Sequence, residues 1–191
     1  KNVNWSHELR NILREIDSYD SYINGTCVSL NWAWGVLYDK LCQDWRRELN
    51  SKPKLRTYVL CKNNFEVEPY VTTPMATRYR SALARLRYGI LPLEIEVGRY
   101  NGIPEERRIC KLCDLGVVES ELHFLFKCPI NHNLRQEFIN TVKNSYPDVA
   151  RLPDTSKFQV IMNSDIVKDT ARYVYSALMR RQDCLYRTVL H

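Results

Sequence analysis

Glycine and proline are scarce in this sequence, six and eight among 191 residues. So few turn-formers argue against an all-β chain and leave helices as the expected architecture. Long apolar runs are missing too, so no segment reaches the length of a membrane span and no signal-peptide core is present. Several catalytic inventories are absent. There is no glycine-rich phosphate loop, no Gly-x-Ser-x-Gly elbow and no His-Glu-x-x-His. The acids are scattered, with no Tyr-x-Asp-Asp of a polymerase palm. Pro147-Asp148 and Pro153-Asp154 open like a restriction-type nuclease motif, but neither is followed by the acid-x-lysine that would gather a catalytic metal. These gaps predict a chain that is not an enzyme and takes no small-molecule substrate.

What is present is a globular composition, 45% hydrophobic and 26% charged, with 28 basic and 22 acidic residues and a net charge of +6. The seven cysteines are odd in number and too sparse for a secreted disulfide framework. They indicate a reducing compartment, cytosol or nucleus, and the sequon Asn24-Gly25-Thr26 has no secretory context to support it. Because the chain starts at Lys1 and not at methionine, it reads either as a fragment of a longer protein or as a free-standing domain.

Three of the cysteines fall in one stretch, Cys110 to Cys128, with the sequence CKLCDLGVVESELHFLFKC. A Cys-x2-Cys pair lets two thiolates grip one ion across a tight turn, and a histidine plus a third cysteine complete a tetrahedral shell suited to zinc. Cys110, Cys113, His123 and Cys128 are the preferred set. Ser120 can cap a short helix from Glu121, which carries His123 towards Cys128 before Pro129 stops it. His132 is the alternative fourth ligand. Four protein ligands leave no open position, so the zinc is expected to be structural. The competing reading is a group of buried free thiols with a core histidine.

Around this stretch the sequence predicts a mainly α domain with a small embedded zinc knuckle, a short hairpin plus a helix. Residues 1–50 read as a helical pair, 51–104 as a basic helical segment, 105–135 as the knuckle and 136–191 as C-terminal helices, together one compact unit. Trp5, Leu9, Ile12, Leu13 and Ile16 form one helical stripe, and Leu30, Trp34, Leu37, Leu41 and Trp45 form a second. Both tryptophans of the second stripe are expected in a core. Asp17 to Gly25 reads as a break. Thr73-Pro74 looks like a helix start and Gly89 its end, with Met75, Tyr79, Ala82, Leu83 and Leu86 buried. Leu91 to Tyr100 reads as a short strand or an extended lead-in, with turn chemistry at Gly98-Arg99-Tyr100. A last helix is expected from Asn163 or Ser164, with Arg172, Arg180 and Arg181 outward.

The basic residues are unevenly placed. From Arg46 to Lys111 there are 14 Lys/Arg against 7 Asp/Glu, so this segment holds the chain's whole positive surplus. Arg78, Arg80, Arg85 and Arg87 share one helix that has no acid. They suit either snorkelling at the rim of an apolar face or contact with phosphate. Arg107, Arg108 and Lys111 sit beside the first thiolates, where they offset the charge of the metal centre or carry further phosphate contacts. The concentrated field favours a polyanionic partner, RNA or DNA, held through its backbone. An alternative is a zinc-stapled protein-interaction module, with the helices around Trp34 and Trp45 as its docking face.

The run KLRTY, the segment YRSALARLRYGILPLEIEVGRY, then R-x-C-x2-C, E-S-E-L-H-F-L and C-P resemble the carboxy-terminal region of non-LTR retrotransposon reverse transcriptases. FQVIMN and ARYVYSALMRR are similar to the tail of such proteins. The resemblance covers roughly the last three quarters of the chain. It implies zinc on Cys110, Cys113, His123 and Cys128 and a region that helps hold template RNA or target DNA. The palm that carries that family's chemistry is not in this chain, so reverse transcription does not carry over.

Overall fold

The computed structural model describes residues 4–62, 64–163 and 165–189. Among these residues the protein is mainly α-helical and contains no strand. The chain divides into two units, Lys1–Ser51 and Lys52–His191.

The first unit contains α1 (Trp5–Glu15), α2 (Tyr19–Asn24) and α3 (Leu30–Asn50). The starts follow capping chemistry. The Asn4 carboxamide accepts from Ser6 N–H at 3.1 Å, and the Ser29 hydroxyl accepts from Trp32 N–H at 3.5 Å. The expected break at Asp17–Gly25 holds α2, which Gly25 ends in the left-handed conformation (φ 62°). The expected burial of the stripes fails here. Ile16 is the one buried side chain among this unit's described residues, while Trp34 is 72% exposed and Trp5 74%. Three helices of which one is a short turn leave these apolar faces without an opposing layer.

The second unit carries the core. After a 3-10 turn opened by Pro53 come α4 (Arg56–Cys61), α5 (Pro69–Thr72), α6 (Thr77–Arg87) and α7 (Glu94–Tyr100). The metal-ligand stretch follows, then α8 (His132–Ser145), α9 (Asp154–Asn163) and α10 (Val167–Val189). Helix α6 packs on α10, bringing Ala82, Leu83 and Leu86 against the apolar face of Ala171, Val174, Ala177 and Leu178. Each fully buried leucine contributes about 1.5–3 kcal/mol in such a core. Phe138 of α8 and Tyr173 of α10 stack at 4.4 Å, locking a second helix to α10.

Four expectations are corrected here. Helix α6 starts at Thr77 and not at Thr73, whose hydroxyl instead donates to Pro69 O at 2.7 Å and closes α5. The segment read as extended is helical from Glu94. Leu91, Leu93 and Ile95 alternate like a strand, but only Ile95 lies within the helix, and Leu93 is its cap. Gly98 is needed in α7 for contact and not for a turn, because a Cβ there would meet Arg108 Cγ at 2.6 Å. Helix α10 begins at Val167; Ser164 lies outside the described residues.

Candidate metal centre

Two short arms frame the centre. The first, ending in Cys110, is joined to the second by an antiparallel bridge between Ile109 and Val118. Cys110 N–H donates to Val117 O and Glu119 N–H to Arg108 O, both at 2.9 Å. No longer hairpin forms among the described residues. Gly116 turns the chain between the arms with φ 64°, a value that a residue bearing Cβ adopts only with strain.

The second half of the site is a π-turn, His123–Lys127, closed by Cys128 N–H donating to His123 O at 2.8 Å. On an α-helix, residues five apart point roughly 140° away from one another. The wider i→i+5 turn brings His123 and Cys128 back to one side. Ser120 starts this turn as expected, its hydroxyl accepting from His123 N–H at 3.2 Å. Three side chains take carbonyls that the turn leaves over. Asn131 donates to Phe124 O at 3.2 Å, Tyr173 to Leu125 O, and Arg135 to Cys128 O at 2.9 Å. Burial pushes the Tyr173 hydroxyl up in pKa, so it stays a donor.

These elements bring the ligand atoms of Cys110, Cys113, His123 and Cys128 within 4.8 Å of one another, a group that can hold a metal ion. Cys110 Sγ and Cys128 Sγ are 4.0 Å apart, and Cys113 Sγ lies 3.5 Å from His123 Nε2. Cys110, His123 and Cys128 are buried and Cys113 half-buried. The hydrogen bond to Cys128 and then burial push the Cys110 thiol up to about 12, and the same hydrogen bond lowers Cys128. His132, the alternative ligand, is exposed on α8 and outside the cluster.

Four buried carboxylates surround the frame. Glu119 accepts two hydrogen bonds from Arg181, at 2.8 and 2.7 Å, and one from Glu94 N–H at 2.8 Å. Arg181, expected outward, is thus turned into the core by this carboxylate. Glu121 meets Arg56 at 2.6 Å, Glu94 meets Lys111 at 2.9 Å, and Glu96 takes a two-pronged contact from Arg99. The Arg99 hydrogen bond holds Glu96 below the ordinary carboxylate range. Sequence reasoning missed this network. Its signal was the alternation of acids in Glu94-Ile95-Glu96 and Glu119-Ser120-Glu121 beside unpaired arginines.

The basic residues singled out in the sequence do not form one surface. Arg87 is fully buried, paired with Glu68 and donating to Met162 O at 2.9 Å, so it is corrected from a phosphate contact to a core clamp. Arg108 is likewise structural, donating to Ile103 O at 2.8 Å and Ile95 O at 3.0 Å. Arg80 is half-buried and holds Thr73 O at 3.0 Å. Arg78 is exposed but stacked over Tyr79, 4.9 Å from the ring centroid. Lys111 is exposed and paired with Glu94. Among the described residues, Arg85 and Arg107 are exposed and make no ion pair.

No helix among the described residues is long and apolar enough to cross a membrane. Comparison with family models, with curated proteins and with solved structures finds no match to this chain.

Proposed function

We propose that this chain is a non-catalytic nucleic-acid-binding domain whose second unit is stapled by a structural zinc ion. The observation that carries the staple is the closed set of Cys110, Cys113, His123 and Cys128. Tetrahedral zinc at about 2.3 Å from sulfur and about 2.05 Å from nitrogen needs ligand edges of about 3.8 Å for sulfur–sulfur and about 3.6 Å for sulfur–nitrogen. The observed separations of 4.0 and 3.5 Å are close to both. Three thiolates and one imidazole match zinc's ligand preference and leave no open position for substrate, so bound zinc would supply folding energy.

Nucleic acid is favoured as partner by the net charge of +6 and by the exposed Arg78 and Arg85 of α6 and Arg107 and Lys111 of the knuckle. The resemblance to the end of a retroelement reverse transcriptase points the same way. Fluorescence anisotropy with single-stranded RNA and duplex DNA across a salt series tests the proposal. Binding that weakens steeply with salt, and weakens further in Arg85→Glu/Arg107→Glu with the melt unchanged, is the expected result. Affinity equal to that of an unrelated basic protein would refute it.

The second reading, a zinc-stapled protein-interaction module, is favoured by one observation. Leu30, Trp34 and Trp5 of the first unit are 85%, 72% and 74% exposed.

A further inference from the structure

An open cleft of about 390 Å³ lies between α8 and the segment formed by the Pro147–Arg151 turn and α9. Gln136, Asn140 and Lys143 recur at i, i+4 and i+7 and so share one face of α8. Arg135 extends this wall, Lys157 of α9 faces it and Phe126 of the π-turn also lines the cleft. Three cations and two carboxamides line the space, and no carboxylate does.

Two acids near the cleft are already engaged. Asp154 is shared by Lys157 at 3.3 Å and Lys127 at 3.1 Å, so one carboxylate answers two ammonium groups. Asp148 is taken by Arg151 at 3.4 Å. Among the described residues Arg135 and Lys143 make no ion pair, and Lys143 is exposed. Arg135 is held in place through Cys128 O, the backbone of a metal-cluster residue. Lys157 lies 6.0 Å from the Phe126 ring centroid, against an apolar wall that limits screening by water.

We infer that this cleft binds a phosphate group, with Arg135, Lys143 and Lys157 supplying charge and Gln136 and Asn140 supplying amide donors. A lone carboxylate needs one cation. Three cations lining one space, with neutral donors beside them, suit an oxyanion with several charged or strongly accepting oxygens. The phosphate comes either from the backbone of a single strand or from a free nucleotide. The first source rests on the nucleic-acid reading above, and the second does not.

The test uses the full, metal-loaded chain, labelled for amide NMR and titrated separately with adenosine monophosphate and with a single strand of about 12 nucleotides. Saturable shifts at the Gln136, Asn140 and Lys143 amides with either ligand are expected. Lys143→Glu should weaken strand binding about fivefold or more. Lys143→Gln should lower the slope of log affinity against log salt by roughly 0.7, the loss of one single-strand phosphate contact. Both variants should melt as the parent does, since Lys143 is exposed. Shifts with the mononucleotide and no strand binding would support the cleft while ending the nucleic-acid reading. Strand binding that leaves these three amides unmoved and is indifferent to Lys143→Glu would overturn the cleft alone. Silence of the three amides with both ligands, or their response only to a glutamate-rich peptide, would overturn it as well.

Discussion

The two units carry similar apolar stripes and treat them in opposite ways. In Lys1–Ser51 the helical periods of Trp5–Ile16 and Leu30–Trp45 are clear, yet only Ile16 is buried among the described residues. In Lys52–His191 the stripe of α6 is closed against α10, and that helix is tied in turn to the metal stretch by Arg181 and Tyr173. Periodicity makes a helix amphipathic, but burial requires an opposing layer, and the second unit supplies one by folding around a fixed centre. In the second unit that layer closes around the cluster of Cys110, Cys113, His123 and Cys128, which could hold a metal ion, whereas in the first unit Trp5, Leu30 and Trp34 stay exposed.

The largest effect is expected at the buried charges of the second unit. Arg181→Met leaves the buried Glu119 carboxylate with two hydrogen bonds removed, and should cost about 3–5 kcal/mol in urea unfolding of the second unit. Adding Glu119→Gln should recover part of that loss. A single-variant cost below about 1 kcal/mol would mean that the carboxylate is solvated and that α10 is not anchored there. A smaller effect is expected from Asn131→Ala, which removes the donor to Phe124 O and should cost about 1–3 kcal/mol. A melt that does not move would remove Asn131 from the π-turn's support. At the other end of the scale, Trp34→Ser should change stability by no more than about 0.5 kcal/mol, as for an exposed position. A loss near that of a core tryptophan, about 3–5 kcal/mol, would show that the first unit buries its stripe after all.

Much of this was legible in the sequence. The Cys-x2-Cys pair with His123 and Cys128 named the cluster that the fold brings together, and Ser120 and Pro129 bounded the turn between the last two ligands. The terminator at Gly89 also located a helix end. The π-turn was not legible, because an i→i+5 bond depends on partners such as Asn131 and Tyr173 that arrive from later in the chain. Long-range pairing also hid the fates of the arginines. Arg85 and Arg87 are two residues apart on one helix, and only Glu68 and Met162 O decide that one is exposed and the other buried. Leu91 to Ile95 misled for a local reason: the apolar alternation of Leu91, Leu93 and Ile95 belongs to a turn entering a helix, where the intervening Glu94 is buried too.

We propose that one metal ion at Cys110, Cys113, His123 and Cys128 holds the second unit together. The most direct test is metal analysis of the purified chain, combined with thermal melts with and without a chelator. One zinc per chain is predicted, with loss of the cooperative transition on chelation and its return when zinc is restored. A metal-free chain whose cooperative melt is indifferent to chelator would contradict the claim and leave the four side chains as a cluster of buried thiols and a core histidine.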